Sequence, residues 1–150
     1  MRGASFENMN PELTGVLATP VKPINAITLG NTLRSHEDWV SSGSTRGARA
    51  DFSEHNLSGL DLSGRSLATI SFARANLKDI DLKGAFLAAC DFTDANLSGA
   101  DLTGCDLRGA QFTGAHLDNL RLENVRTGVL PETGLRTTFP DGFLLENGGL

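Results

Sequence analysis

Leu or Phe recurs at every fifth position from Phe52 to Leu122, fifteen times without a miss. No helix can use that period. At about 100° per residue, a step of five turns each hit by about 140° from the last, so no single stripe forms. A flat strand fails as well, because odd steps alternate faces. The neighbouring positions resolve the difficulty. Two residues before each hit the side chain is mostly small or apolar, as at Ala50, Ile70, Ala75, Cys90, Ala100 and Ala110, with His55 and Arg65 as early exceptions. Between the two stands a short polar residue, most often Asp or Asn. After the hit come two residues that favour Ser, Thr, Ala and Gly, as in Ser58-Gly59 and Thr103-Gly104. Each unit is therefore in, out, in, and then a two-residue corner. Gly takes positive φ freely and Asx side chains bond to local backbone, so both suit such corners.

A longer period sets the geometry. Phe stands at 52, 72, 92 and 112, outward Asn at 56, 76 and 96, and outward Asp at 61, 81 and 101, all twenty apart. Four units make one turn. The pattern predicts a four-sided all-β coil over residues 50–126, about four coils and roughly 19 Å long at the strand spacing. The Phe residues stack into an aromatic ladder in its core. Both ends of so short a solenoid present apolar rings and unpaired backbone edges, which call for covers.

The flanks supply candidates. Residues 28–49 are expected to form a helical cap and a turn leading into the first coil. Leu29, Leu33, His36, Trp39 and Val40 keep helical spacing, with Thr28 or Asn31 placed to cap the helix and Trp39 on its inner face. GSTRGAR at 43–49 is then the bend into the first coil; it lacks the Gly-Lys-Ser/Thr context of a phosphate loop. Residues 127–150 are expected to form an irregular C-terminal capping tail, with Leu130, Leu135, Phe139, Phe143 and Leu144 separated by Pro131, Gly134, Pro140 and Gly142. Residues 1–27 show no strong periodicity and are expected to be a flexible N-terminal segment, in which ASFEN at 4–8 mimics one repeat by coincidence.

ANLKD, ANLSG and ADLTG resemble the A-(D/N)-L-x-x unit of the pentapeptide repeat family. LRSHEDWVSSGSTRGARADF resembles the H-x-x-W-x-x-S-G segment that precedes such repeats, and TTFPDGF the F-P-x-G-F segment that closes them. The resemblance implies a right-handed quadrilateral β-helix, and a complete small bacterial protein with a helical N-terminal cap.

Composition narrows the chemistry. MRGASFENMN lacks the apolar core of a signal peptide, and no apolar run reaches the length of a membrane span. Cys90 and Cys105 fall in inward slots on different sides of the coil, where a thiol acts as a small hydrophobe. A reduced, cytoplasmic setting follows as the expectation. His36, His55 and His116 are too scattered to form a catalytic set, and the corner Ser and Thr residues are there for turn reasons. No nucleophile elbow, zinc helix or dinucleotide loop appears. The chain is expected to be no enzyme, with no catalytic, cofactor or metal residues and no cofactor.

Two functional readings remain. The resemblance implies that some relatives mimic duplex DNA and bind gyrase or another topoisomerase, and the column Asp61, Asp81, Asp101 invites that comparison. Residues 50–126 hold eleven Asp and Glu against seven Lys and Arg, a balance of −4. Duplex DNA carries about eleven charges over the same ~19 Å. Arg121 also interrupts the Asp column. The favoured expectation is a rigid protein–protein interaction module or scaffold with a protein partner, monomeric rather than dimeric, and with no direct contact to nucleic acid or membrane. Phe86 is the candidate anchor, because it fills an outward slot that in most other units holds Asp, Asn or Ser. Lys83 and Arg108 at nearby corners are its candidate polar rim.

Overall fold

A computed structural model describes residues 22–131, 133–140 and 143 of the chain. ASFEN at 4–8, the rest of 1–21 and Leu144 lie outside the described residues.

The repeat region is a solenoid held by parallel pairing at a step of twenty. Asp51 pairs with Ser71 and Ser71 with Asp91; Asn56 pairs with Asn76 and Asn76 with Asn96; Asp61, Asp81 and Asp101 form one continuous column, and Ser66, Phe86 and Asp106 another. In the two middle coils each outward residue bridges one coil above and one below, so every fifth residue carries the ladder. We number the coils 1 (50–69), 2 (70–89), 3 (90–109) and 4 (110–126).

The corners explain the period of five. The backbone turns by a four-residue bend, as where the Ala75 N–H donates to the Phe72 carbonyl at 3.0 Å. The third residue of each bend is left-handed in every unit from Glu54 to Asn124, whether it is Gly or not. That is the demand of a type II turn. At nine outward slots an Asp or Asn Oδ1 then accepts the N–H two residues on, as Asn76 does from Lys78 at 3.1 Å and Asp91 from Thr93 at 2.9 Å. The outward Asp and Asn therefore serve the corners first.

The inward slots make the core. Phe72, Phe92, Phe112 and every five-step Leu from Leu67 to Leu107 are wholly inaccessible, as are Ile70, Ile80, Cys90 and Cys105. The predicted aromatic ladder is present, with ring centroids 5.9, 5.1 and 4.8 Å apart from Phe52 to Phe112. It also runs further than the period foretells. Phe139 stacks on Phe112 at 5.4 Å and Phe143 on Phe139 at 5.0 Å. The chain leaves the coil after Arg126, turns back on itself through the antiparallel pair Val129 and Arg136, and returns so that Thr138 pairs with Gln111, twenty-seven residues on rather than twenty. The buried Thr137 hydroxyl fixes that return by donating to the Leu107 carbonyl at 2.6 Å.

At the other end lies one helix, α1 (Ala26–Ser41). It starts two residues before Thr28, and its N-cap is neither Thr28 nor Asn31. Asn25 takes that role, with extended backbone and a side chain that accepts from the Thr28 N–H at 2.8 Å. The last part of the expected flexible segment is thus ordered: Lys22 pairs with His55 in parallel, and Ala26 and Ile27 are helical. Leu33 enters the core, with Ile24 and Leu29 half-buried against it. Trp39 is half-buried rather than fully inward, and its ring stacks on His36 at 5.7 Å.

Candidate functional site

The two surfaces singled out by sequence lie on adjacent columns of the solenoid. The acidic column is real but internally spent. Asp61 accepts from the Ser63 N–H and hydroxyl at 3.0 and 2.6 Å, and Asp101 accepts from those of Thr103 at 3.0 and 2.6 Å. The bonds from Ser63 hold the Asp61 carboxyl below the usual carboxylate range. At Asp101, partial burial works the other way but is outweighed by Thr103 and by the charges of Lys83 and Arg121, so its pKa too is lowered. Lys83 sits on this column, with its Nζ 2.9 Å from Asp81 and 3.7 Å from Asp101. The same carboxylates raise the Lys83 ammonium, chiefly through the hydrogen bond to Asp81. Arg121 continues the column directly below Asp101.

The second surface is the column Ser66, Phe86, Asp106, Arg126. Phe86 keeps full backbone register, donating to the Arg65 carbonyl and accepting from the Leu67 N–H, both at 2.9 Å. Its ring nonetheless points out and is 54% exposed, whereas Ala85 and Leu87 on either side are buried. A Phe side chain has no oxygen to offer the corner N–H, so this unit gives up the bond that nine Asp and Asn residues make. Net, such a bond is worth about 1 kcal/mol. Below the ring, Asp106 is buried and takes a bidentate grip from Arg108, 3.0 Å from Nε and 2.8 Å from an outer guanidinium nitrogen. Arg126 approaches the same carboxylate at 3.9 Å. Burial alone would raise the Asp106 carboxyl; the two bonds from Arg108 and the charges of both arginines pull it below its ordinary value instead.

The structure thus parts the expected rim. Arg108 joins Phe86 through Asp106, while Lys83 turns to the acidic column. Arg126 completes the set and escaped notice in the sequence, although a count of twenty from Asp106 leads straight to it. The histidines stay dispersed: His36 is buried on the inner face of α1, His55 lies edge-on to Phe52 at 6.3 Å, and His116 is exposed. Both thiols are free and buried, each donating to a core carbonyl, Cys90 to Leu67 at 3.0 Å and Cys105 to Leu82 at 2.8 Å. Burial raises both, Cys105 to about 12, which keeps them unreactive. Among the described residues no three His, Cys, Asp or Glu side chains are placed to hold a metal ion, and no helix is long and apolar enough to cross a membrane.

Known proteins agree with this architecture. The sequence model of the Pentapeptide repeats family matches residues 70–109 and 105–126, with eight copies of the unit. A crystal structure of a pentapeptide repeat protein from Nostoc Pcc 7120 superposes with a TM-score of 0.57 at 26% identity, covering 87% of this chain and 96% of that one. A pentapeptide repeat protein of the Arabidopsis thaliana thylakoid lumen is 31% identical over 67% of this chain and 72% of its own, with a TM-score of 0.48. A comparison with curated protein sequences finds no match. Fifteen registered units, a ladder that steps by twenty and the family match together place the chain in the pentapeptide repeat family.

Proposed function

We propose that this protein is a non-enzymatic binding module: a right-handed, four-sided β-helix, closed by α1 and by the returning tail, that presents Phe86 to a protein partner. The observation that carries the reading is the exposed ring of Phe86 in a slot where a polar residue would serve the fold better. A large aromatic side chain on a rigid face is the kind of group that dominates binding energy, since it is ordered before the partner arrives. Asp106, Arg108 and Arg126 beside it supply a polar edge. A cytoplasmic setting, a monomeric state and the absence of nucleic-acid or membrane contact belong to the same proposal, and the two unpaired thiols favour a reducing compartment.

The test is Phe86→Asn, which removes the ring and restores the corner bond. Stability is expected to hold or rise by about 1 kcal/mol, while recovery of the main partner in affinity capture from the native cell is lost. A variant that melts lower and still captures the partner overturns the proposal.

Mimicry of DNA draws less support. Lys83 and Arg121 break the field of the acidic column, and each Asp is committed to its own corner or to Lys83. Steered binding needs a continuous field of one sign. No inhibition of gyrase supercoiling is therefore expected at micromolar protein. Clear inhibition that disappears when Asp61, Asp81 and Asp101 become Asn would reverse the ranking.

A further inference from the structure

The contact between α1 and coil 1 turns on one imidazole. His36 is wholly buried. Its Nε2 donates to the Ala68 carbonyl at 2.9 Å, on the last corner of coil 1. Its Nδ1 accepts the N–H of Ala50, the first residue of that coil, also at 2.9 Å. One ring therefore ties the helix to both the beginning and the end of the same coil. The arrangement admits a single state, the neutral tautomer with hydrogen on Nε2. A second proton on Nδ1 would face the Ala50 N–H donor head-on.

The surroundings add to this. Arg49, beside Ala50, disfavours a second positive charge, whereas Glu37 on the helix itself favours one. Glu37 is already engaged by Arg65 at 3.1 Å, across a partly exposed pair of modest worth. The corner that His36 grips is itself strained. Among the described residues Thr69 is the one β-branched residue at a left-handed corner position, at φ 67, and its buried hydroxyl has no hydrogen-bond partner there. β-Branched residues rarely adopt that conformation, and it persists where the surroundings enforce it.

We propose that α1 is an acid-released lid: a proton taken up by His36 frees the helix from coil 1 and uncovers the apolar end of the solenoid. Desolvation by burial, followed by the repulsion of Arg49, lowers the docked His36 pKa below 6.5 despite the Ala68 bond. The sign follows. The released histidine binds a proton more readily than the docked one, so docking is at full strength above pH ~6.5 and weakens as pH falls toward the docked value. Across that window the docked-to-released ratio drops by up to about tenfold per pH unit, the limit for one proton. Leu33 leaves the core with the helix, and the end of the ladder at Phe52 becomes accessible.

Trp39, the only tryptophan of the chain, stacks on His36 and reports the event directly. The full chain is titrated from pH 8 to 5 while Trp39 emission and binding of an apolar dye are recorded. The expected result is a one-proton transition centred below pH 6.5 in both signals, with the far-ultraviolet β signal preserved. His36→Gln is expected to abolish the transition, because its amide can donate to Ala68 and accept from Ala50 at every pH. His55→Gln and His116→Gln should leave it in place. If His36→Gln fails to fold, the ring resonance of His36 in the unaltered protein decides: its midpoint must coincide with that of Trp39. Flat emission and dye signals over this range overturn the proposal. So does a transition that survives His36→Gln, or a ring that titrates while the lid stays docked.

Discussion

Replacing Phe92 by Ala is expected to cost about 3–5 kcal/mol of stability, as for other large-to-small truncations of buried aromatics. The ring is fully inaccessible and lies between Phe72 at 5.1 Å and Phe112 at 4.8 Å, both within 4° of parallel. Its loss opens a void that cannot close. The backbone on either side is pinned by ladder bonds, such as that from the Phe92 N–H to Gln111 at 2.7 Å and from the Asp94 N–H to Thr113 at 3.0 Å. A globular core can shift a helix to fill a gap, but one coil cannot move toward the next without compressing the strand spacing. The exposed Phe86 makes the internal control: truncated to Ala it should change stability by less than about 1 kcal/mol. Chemical denaturation of both variants checks the pair. A loss at Phe92 no greater than that at Phe86 would show that the ladder does not hold the core.

How much of this was legible in the sequence depends on distance from the repeat. Within 50–126 the side-chain period fixes register, so the pairs Asn76–Asn96 and Phe86–Asp106 could be counted without a structure. Each residue there sees the same environment as its neighbour twenty positions away, and one rule serves all. Outside the repeat no such rule holds. The excursion through Val129 and Arg136 shifts the count by seven, which concealed Phe139 as a member of the ladder. Asn25 lay just beyond the apolar helical pattern, and Thr28 and Asn31 were closer rivals of the right chemistry. The site divided in the same way. The outward slot of Phe86 followed from period alone, but Lys83 has a flexible stem that reaches across its corner. Its choice of Asp81 over the Phe86 side is a matter of charge that position does not reveal. His36 had the helical spacing of a lid residue, yet its two bonds join segments fourteen and thirty-two residues away, and no local pattern announces them.

Gly47→Ala is the second substitution expected to have a large effect, and it acts where the helix meets the leading turn. Gly47 has φ +72, a conformation that costs an L residue about 1–2 kcal/mol. A methyl group there would lie 2.1 Å from the Ser35 carbonyl oxygen and 2.9 Å from the Trp39 nitrogen. Both are backbone atoms of α1, so no rotamer change can make room. The helix must move, and forced displacement of a packed element adds about 1–3 kcal/mol. The total is about 2–5 kcal/mol, and it falls on the contact that Leu33 and His36 make with coil 1. Gly43 separates the two terms, because it has φ +65 but a Cβ there would meet open space. Gly43→Ala should therefore show the conformational cost alone, about 1–2 kcal/mol. Thermal unfolding of the two variants, read with Trp39 emission at neutral pH, provides the check. Gly47→Ala should melt well below Gly43→Ala and place Trp39 in a more exposed setting before unfolding begins. Equal melting temperatures with unchanged emission would mean that α1 does not rest on the turn at Gly47.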